Sequence, residues 1–137
     1  MLDTFQAAIL LEKLEIFDEE FEFRNQVATY YTGNINSDLM RPYAPKEYIS
    51  SWVQYSLLAN SESDKTKIML TLKESNIPSM IYYRIPFHLQ SVFETLEYAS
   101  GDFPASEEVS SQIFSIPMHP YLTRDQQNEI IGVLNNG

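Results

Sequence analysis

No cysteine occurs in the 137 residues. Disulfides and thiolate metal sites are therefore excluded, and a reducing compartment is the natural expectation. Only four glycines are present, at 33, 101, 132 and 137, and they are too scattered to build a phosphate-cradling loop. Basic charge is scarce: 9 lysines and arginines stand against 19 acidic residues, for a net charge of -10. That balance argues against a nucleic-acid backbone or an anionic membrane surface as partner. No apolar run approaches the ~20 residues needed to span a bilayer. The N-terminus lacks the basic, apolar and small-residue order of a signal peptide. A cytoplasmic protein is expected.

What remains is ordinary in apolar content and rich in aromatics, with 8 Phe, 9 Tyr and 1 Trp. The length suits a single domain, residues 1–137. Its first third is the most regular part. Leu10, Leu14, Phe17, Phe21, Ala28 and Tyr31 recur at helical spacing. Ile9, Ile16, Phe23, Val27 and Tyr30 widen that stripe until it needs cover on more than one side. One long helix from Asp3 to Tyr31 is predicted. Asp3 caps it, Gln6 is placed to complete a capping box, and Thr32-Gly33-Asn34 closes it. Its acidic face, Glu12 to Glu22, reads as solvated.

A turn-rich connection follows over 34–50. Ser51–Ala59 reads as a strand. Ser63 or Asp64 caps a helix over Lys65–Ser75, which Asn76 and Pro78 end. Pro78–Ile85 reads as another strand. A short helix over Ser91–Tyr98 and a turn at 100–104 come next. Pro104 opens a helix over 105–114. Ser115–Leu122 is extended, and Thr123 with Gln126 caps a last helix over 124–135. The fold class expected is α+β: a long N-terminal helix, a small sheet of about three mainly antiparallel strands, and helices on one face.

Spacing alone presents no catalytic constellation. His88 and His119 lack metal-ligand spacing, and neither lies near a carboxylate in sequence. No Gly-x-Ser-x-Gly elbow occurs. The five lysines (13, 46, 65, 67 and 73) read as helix-surface or loop residues. The most suggestive stretch is Tyr82-Tyr83-Arg84-Ile85-Pro86-Phe87-His88-Leu89-Gln90, which places phenols, a guanidinium and an imidazole at a strand end. Those tyrosines read equally well as core or interface aromatics, with His88 capping the next helix.

Five stretches in order resemble the DegT/StrS family of pyridoxal-phosphate sugar aminotransferases. Leu2-Asp3-Thr4-Phe5-Gln6-Ala7-Ala8-Ile9-Leu10 is similar to its "LDxxQAAIL" segment. Trp52-Val53-Gln54-Tyr55-Ser56 resembles its "W/Y-A-Q-Y-T/S" strand. Asn76-Ile77-Pro78-Ser79 with Tyr82 to Gln90 resembles "GIPT…HYPIPLHxQ". Gly101-Asp102-Phe103-Pro104-Ala105-Ser106-Glu107 resembles "GDFPxAE", and Ser115 to Leu122 resembles "SLPMHPxL".

The resemblance covers only the small C-terminal domain of such an enzyme and the helix leading into it. It implies that residues 1–33 are a connecting helix and that 51–137 are the α+β small domain. It implies that the large domain, with the Schiff-base lysine and the main residues binding pyridoxal phosphate, is absent. The chain alone would then bind no cofactor and transfer no amino group. The complete enzyme would take a nucleotide-sugar substrate and work as a homo-oligomer. Tyr83 matches the family tyrosine on the sugar side, Tyr82 stands where a histidine is usual, and His88 matches the later histidine. These three are the expected substrate-binding residues. Arg84 replaces the usual proline. Gln54 and Tyr55 read as structural, and Met118 and His119 as packing against the large domain. A rival expectation is a stand-alone interaction or regulatory module, or a decayed fragment, without enzymatic activity.

Overall fold

The computed structural model describes residues 3–136. Helices α1 (Thr4–Glu15) and α2 (Phe17–Asn34) replace the single expected helix. The break is at Ile16, where φ is -104° and ψ is 3°. Neither proline nor glycine causes it. Ile16 is β-branched and sits in a turn with no buried neighbour to hold it straight. Asp3 caps α1 by accepting from the Phe5 N–H at 3.2 Å. Gly33 does not close α2, which runs on to Asn34, because Asn135 reaches across to donate to the Asn34 carbonyl at 2.9 Å.

The two halves differ in burial. Val27, Ala28 and Tyr31 of α2 are buried, whereas α1 buries nothing. Phe5, Leu11 and Leu14 are 80%, 65% and 66% exposed. The wide apolar stripe therefore enters the core only in its second half.

Strands β1 (Tyr55–Leu58) and β2 (Ile113–Ile116) pair antiparallel, with Tyr55 opposite Ile116 and Leu57 opposite Phe114. Single bridges flank them, Met40 to Leu58 on one side and Met80 to Ser115 on the other. The sheet thus has two strands rather than about three. In the register set by Met80 and Ser115, a two-residue step puts Pro78 opposite Pro117. Neither proline has an N–H to give, so that ladder ends at one pair. β1 starts four residues later than expected because Trp52 adopts φ 45°, in the left-handed region. Trp52 is held there by its indole N–H to Asn25 Oδ1 at 3.0 Å and by Arg24 on its carbonyl at 3.2 Å.

Helix α3 (Glu62–Glu74) begins earlier than expected, capped by Ser61, whose hydroxyl accepts from the Asp64 N–H at 3.0 Å. This corrects the reading of Lys65. It shares a stripe with Ile68 and Leu72 and is buried, as a long aliphatic stem allows. Two 3-10 turns, Phe87–Leu89 and Ser91–Leu96, stand where one short helix was expected. Helix α4 (Pro104–Gln112) opens on Pro104 and ends two residues early, at the start of β2. Helix α5 (Arg124–Asn136) has the expected capping box, with Thr123 N–H donating to Gln126 Oε1 at 3.0 Å and Gln126 N–H to Thr123 Oγ1 at 3.3 Å.

The core forms where α2, α3 and α5 meet the sheet face carrying Tyr55, Leu57, Phe114 and Ile116. Tyr31 and Tyr55 lie with ring centroids 5.2 Å apart, and burial pushes both phenols above their ordinary pKa. Tyr31 donates to the Pro117 carbonyl at 3.1 Å, and Tyr55 shares a 2.8 Å hydrogen bond with Thr32. On the other sheet face Ser56, half-buried, and Ser115, buried, face each other across a 2.8 Å hydroxyl bond.

Candidate functional site: an aromatic edge beside the serine face of the sheet

Beyond its single bridge at Met80, the chain leaves the sheet and displays Tyr82 and Tyr83. They are 54% and 73% exposed, which excludes a core role for either within this chain. Ile81, just before them, packs against the core. Just after, the Ile85 carbonyl accepts from Gln90 at 3.4 Å. Residues 82–84 are therefore a short exposed span between two anchors.

Two grooves meet at this edge. One, of about 210 Å³, lies among Val53, Gln54, Pro78, Met80, Tyr82 and Met118. A smaller one, of about 30 Å³, runs over Ser56 and Ser115 to Tyr82 and Tyr83. Gln54 and Tyr82 line both. Phenols, an amide and hydroxyls over an apolar floor can bind a polyhydroxylated ligand, the rings covering C–H faces and the polar atoms pairing with hydroxyls. Gln54 was legible only as a structural motif position. Its place opposite Tyr82 arises from the fold. Met118 joins the groove, while His119 is exposed and uses Nδ1 to accept from the Tyr121 N–H at 3.2 Å.

His88 belongs to a separate cluster. Its Nε2 lies 3.1 Å from Glu107 Oε1, and its ring packs on Phe103 with centroids 4.7 Å apart. Glu107 also accepts from the Gly101 N–H at 2.8 Å, the Ser100 hydroxyl at 2.9 Å and the Phe103 N–H at 3.4 Å. The fold thus joins a histidine and a carboxylate 19 positions apart. Gly101, at φ 98°, takes the left-handed turn that brings its N–H there. Tyr82 and Tyr83 share the groove, but His88 lines neither part of it. His88 does not cap a helix either: it sits inside the first 3-10 turn. The signal for Glu107 was present in sequence as a polar turn, a helix-opening proline and a glutamate in the first helical turn. Its partners were not readable.

The Gly101 N–H is the largest cause holding the Glu107 carboxyl below its ordinary pKa, with Ser100, His88 and Phe103 adding to it and partial burial opposing. A carboxyl whose folded pKa is depressed contributes stability above its unfolded pKa and loses it as pH falls through the folded value. Order in the 100–103 turn is therefore expected to persist at neutral pH and to fail in acid, below the ordinary glutamate range. Glu107→Gln should remove this acid transition. Hydrogen exchange of the Gly101 amide against pH measures both. An acid transition unchanged in Glu107→Gln would refute the assignment.

Among the described residues, no helix is long and apolar enough to cross a membrane, and no group of three or more His, Cys, Asp or Glu side chains is placed to hold a metal ion.

A family model described as the DegT/DnrJ/EryC1/StrS aminotransferase family matches residues 1–135. The chain is similar to the UDP-2-acetamido-2-deoxy-3-oxo-D-glucuronate aminotransferase of Pseudomonas aeruginosa, with 34% identity over 137 residues, spanning 98% of this chain and 36% of the relative. It is similar to the dTDP-3-amino-3,6-dideoxy-alpha-D-galactopyranose transaminase of Aneurinibacillus thermoaerophilus, with 29% identity, spanning 98% of this chain and 36% of the relative. Among solved structures, an aminotransferase of this family from Brucella abortus superposes with a TM-score of 0.89 at 40% identity, spanning 98% of this chain and 35% of that one. The chain thus spans about a third of the length of the relatives it matches.

Proposed function

The chain belongs to the DegT/DnrJ/EryC1/StrS aminotransferase family, and we propose that it is the small C-terminal domain of a pyridoxal-phosphate-dependent nucleotide-sugar aminotransferase. Residues 1–33 are its connecting segment and 51–137 its α+β body. The observation that carries this reading is the exposed Tyr82–Tyr83 edge over the grooves, within a chain that aligns with about a third of sugar aminotransferases. In the whole enzyme this edge faces the sugar. Tyr82 and Tyr83 hold and orient its hydroxyls, and Gln54 sets the floor beside them. His88, tied to Glu107 and Phe103, supports the neighbouring turn rather than reaching the ligand alone.

The residues present do not fit the cofactor. Pyridoxal phosphate needs a lysine to bind its carbonyl and an acidic partner for its ring nitrogen. Neither residue type lines the grooves. Lys13 is bound to Glu20 at 2.7 Å, Lys67 is 3.5 Å from Asp64, Lys65 is buried on α3, Lys73 is exposed in the last turn of the same helix, and Lys46 is exposed in a turn. On this reading the chain alone does not transaminate. In the complete enzyme, an amino group from glutamate would pass to a keto sugar attached to a nucleotide, in surface-polysaccharide or amino-sugar biosynthesis, in the cytoplasm. A homo-oligomer or a lysine-bearing large domain is the partner this reading requires.

The test is a titration of the isotopically labelled chain with a UDP-sugar, followed by amide NMR. Shifts are expected at Tyr82, Tyr83 and Gln54, with Glu129 and other α5 amides unmoved. A response absent from the edge, or strongest elsewhere, would contradict the assignment.

A further inference from the structure

The chain has four arginines, and the fold engages three of them. Arg24 donates to the Trp52 carbonyl at 3.2 Å and holds the turn before β1. Arg41 donates to the Ile35 carbonyl at the end of α2. Arg124 lies 3.6 Å over the Tyr30 ring and donates to Gln127 at 3.3 Å. Arg84 is exposed, and among the described residues no carboxylate, carbonyl or ring pairs with it. It stands next to Tyr83, in the exposed span fixed by Ile81 and Gln90. Position 84 is also where a proline would have fixed φ and removed an N–H.

We infer that Arg84 is a specificity residue of the tyrosine edge, recognising an anionic group on the sugar nucleotide. The inference rests on the reading of that edge as the sugar side. The chemistry follows from charge. With a net charge of -10, the chain repels an anionic ligand at long range, so such a ligand needs a local cation to be held. A guanidinium is the side chain suited to a planar carboxylate or a phosphate, because it offers paired N–H donors in a fixed fork. Arg84 follows Tyr83 in the chain and lines neither groove, so the two phenols can take the sugar hydroxyls while Arg84 takes a charged group that projects beyond them. Two groups of a nucleotide sugar supply that charge: a carboxylate on the sugar ring, as in a uronic acid, or the diphosphate common to all of them.

The experiment titrates the 137-residue chain with UDP-glucuronate, UDP-glucose and UDP, in the wild type and in Arg84→Gln and Arg84→Lys. Affinities are read from amide shifts. These two nucleotide sugars differ in one carboxylate. Wild-type preference for UDP-glucuronate of about tenfold, abolished in Arg84→Gln and partly kept in Arg84→Lys, assigns the carboxylate. Equal binding of all three UDP ligands, weakened about tenfold together in Arg84→Gln, assigns the diphosphate. Arg84→Gln with unchanged affinity for all three overturns the inference. Failure of every ligand to shift the Tyr82 and Tyr83 amides of the wild type instead overturns the reading of the edge, and the inference falls with it. Arg84 is exposed and has no partner among the described residues, so the variants should fold, and the unperturbed amide spectrum of each checks that directly.

Discussion

Phe114→Ala is expected to cost about 3–5 kcal/mol, the range for truncating a large buried aromatic. Phe114 is fully buried, pairs across the sheet with Leu57, and sits on the one sheet face that the helices cover. The sheet has only two strands, each of four residues, so no neighbouring strand can shift to fill the space. Domains of this size hold a total of about 5–15 kcal/mol. Urea unfolding should therefore show a midpoint sharply lowered. Leu11→Ala, on α1, is the matched control. Leu11 is 65% exposed, and its loss should change stability by no more than about 0.5 kcal/mol. A Phe114→Ala cost below about 1 kcal/mol would mean that the core described here is not the one that holds the fold.

The second large effect is on association rather than stability. Removal of residues 1–15 should leave the unfolding transition almost in place, since α1 buries no residue. Its ties to the body are the exposed Lys13–Glu20 pair at 2.7 Å and the Lys13 ammonium 5.9 Å from the Tyr121 ring. Tyr121 in turn donates to Glu20. A helix of 12 residues is marginal in water without packing. Its amides should accordingly exchange fast in the isolated chain. The same helix exposes Phe5, Ile9, Leu10, Leu11 and Leu14, apolar surface of the kind that drives contact between molecules. Sedimentation should show concentration-dependent self-association of the full chain and a monomer after removal of 1–15. Identical sedimentation of the two would refute the idea that α1 is an uncovered interface.

These contrasts show what could be read from residues in order. Local chemistry was legible. Asp3, Pro104 and the Thr123–Gln126 pair act at helix ends as their residue types require, and Asn76, at φ 57°, takes the left-handed turn after α3. The α+β class and the family were legible as well. The extent of the strands was not, because it depends on partners. Pro78 looked able to start a strand until the register set it opposite Pro117. Trp52 looked β-favouring until its indole was tied to Asn25, 27 residues earlier. The apolar period ran straight through Ile16 although the backbone does not. Lys65 was counted as a surface lysine because charge was weighed without its stem.

The candidate site divided along the same line. Tyr82 and Tyr83 could be named from their motif, and the fold keeps them together at one exposed edge. His88, named with them, is drawn 19 residues forward to Glu107, a distance over which composition and periodicity carry no signal. Gln54 entered the groove only because β1 and the Met80 bridge lie on opposite sides of β2.

The central claim is that this chain holds the sugar side of an aminotransferase site but not its chemistry. The most direct measurement adds pyridoxal phosphate to the purified 137-residue chain, then glutamate and a keto nucleotide sugar. The absorption spectrum and amino-group transfer are followed. The account predicts no protein-bound pyridoxal band and no turnover above the protein-free reaction. A stable pyridoxal band together with clear turnover would contradict it.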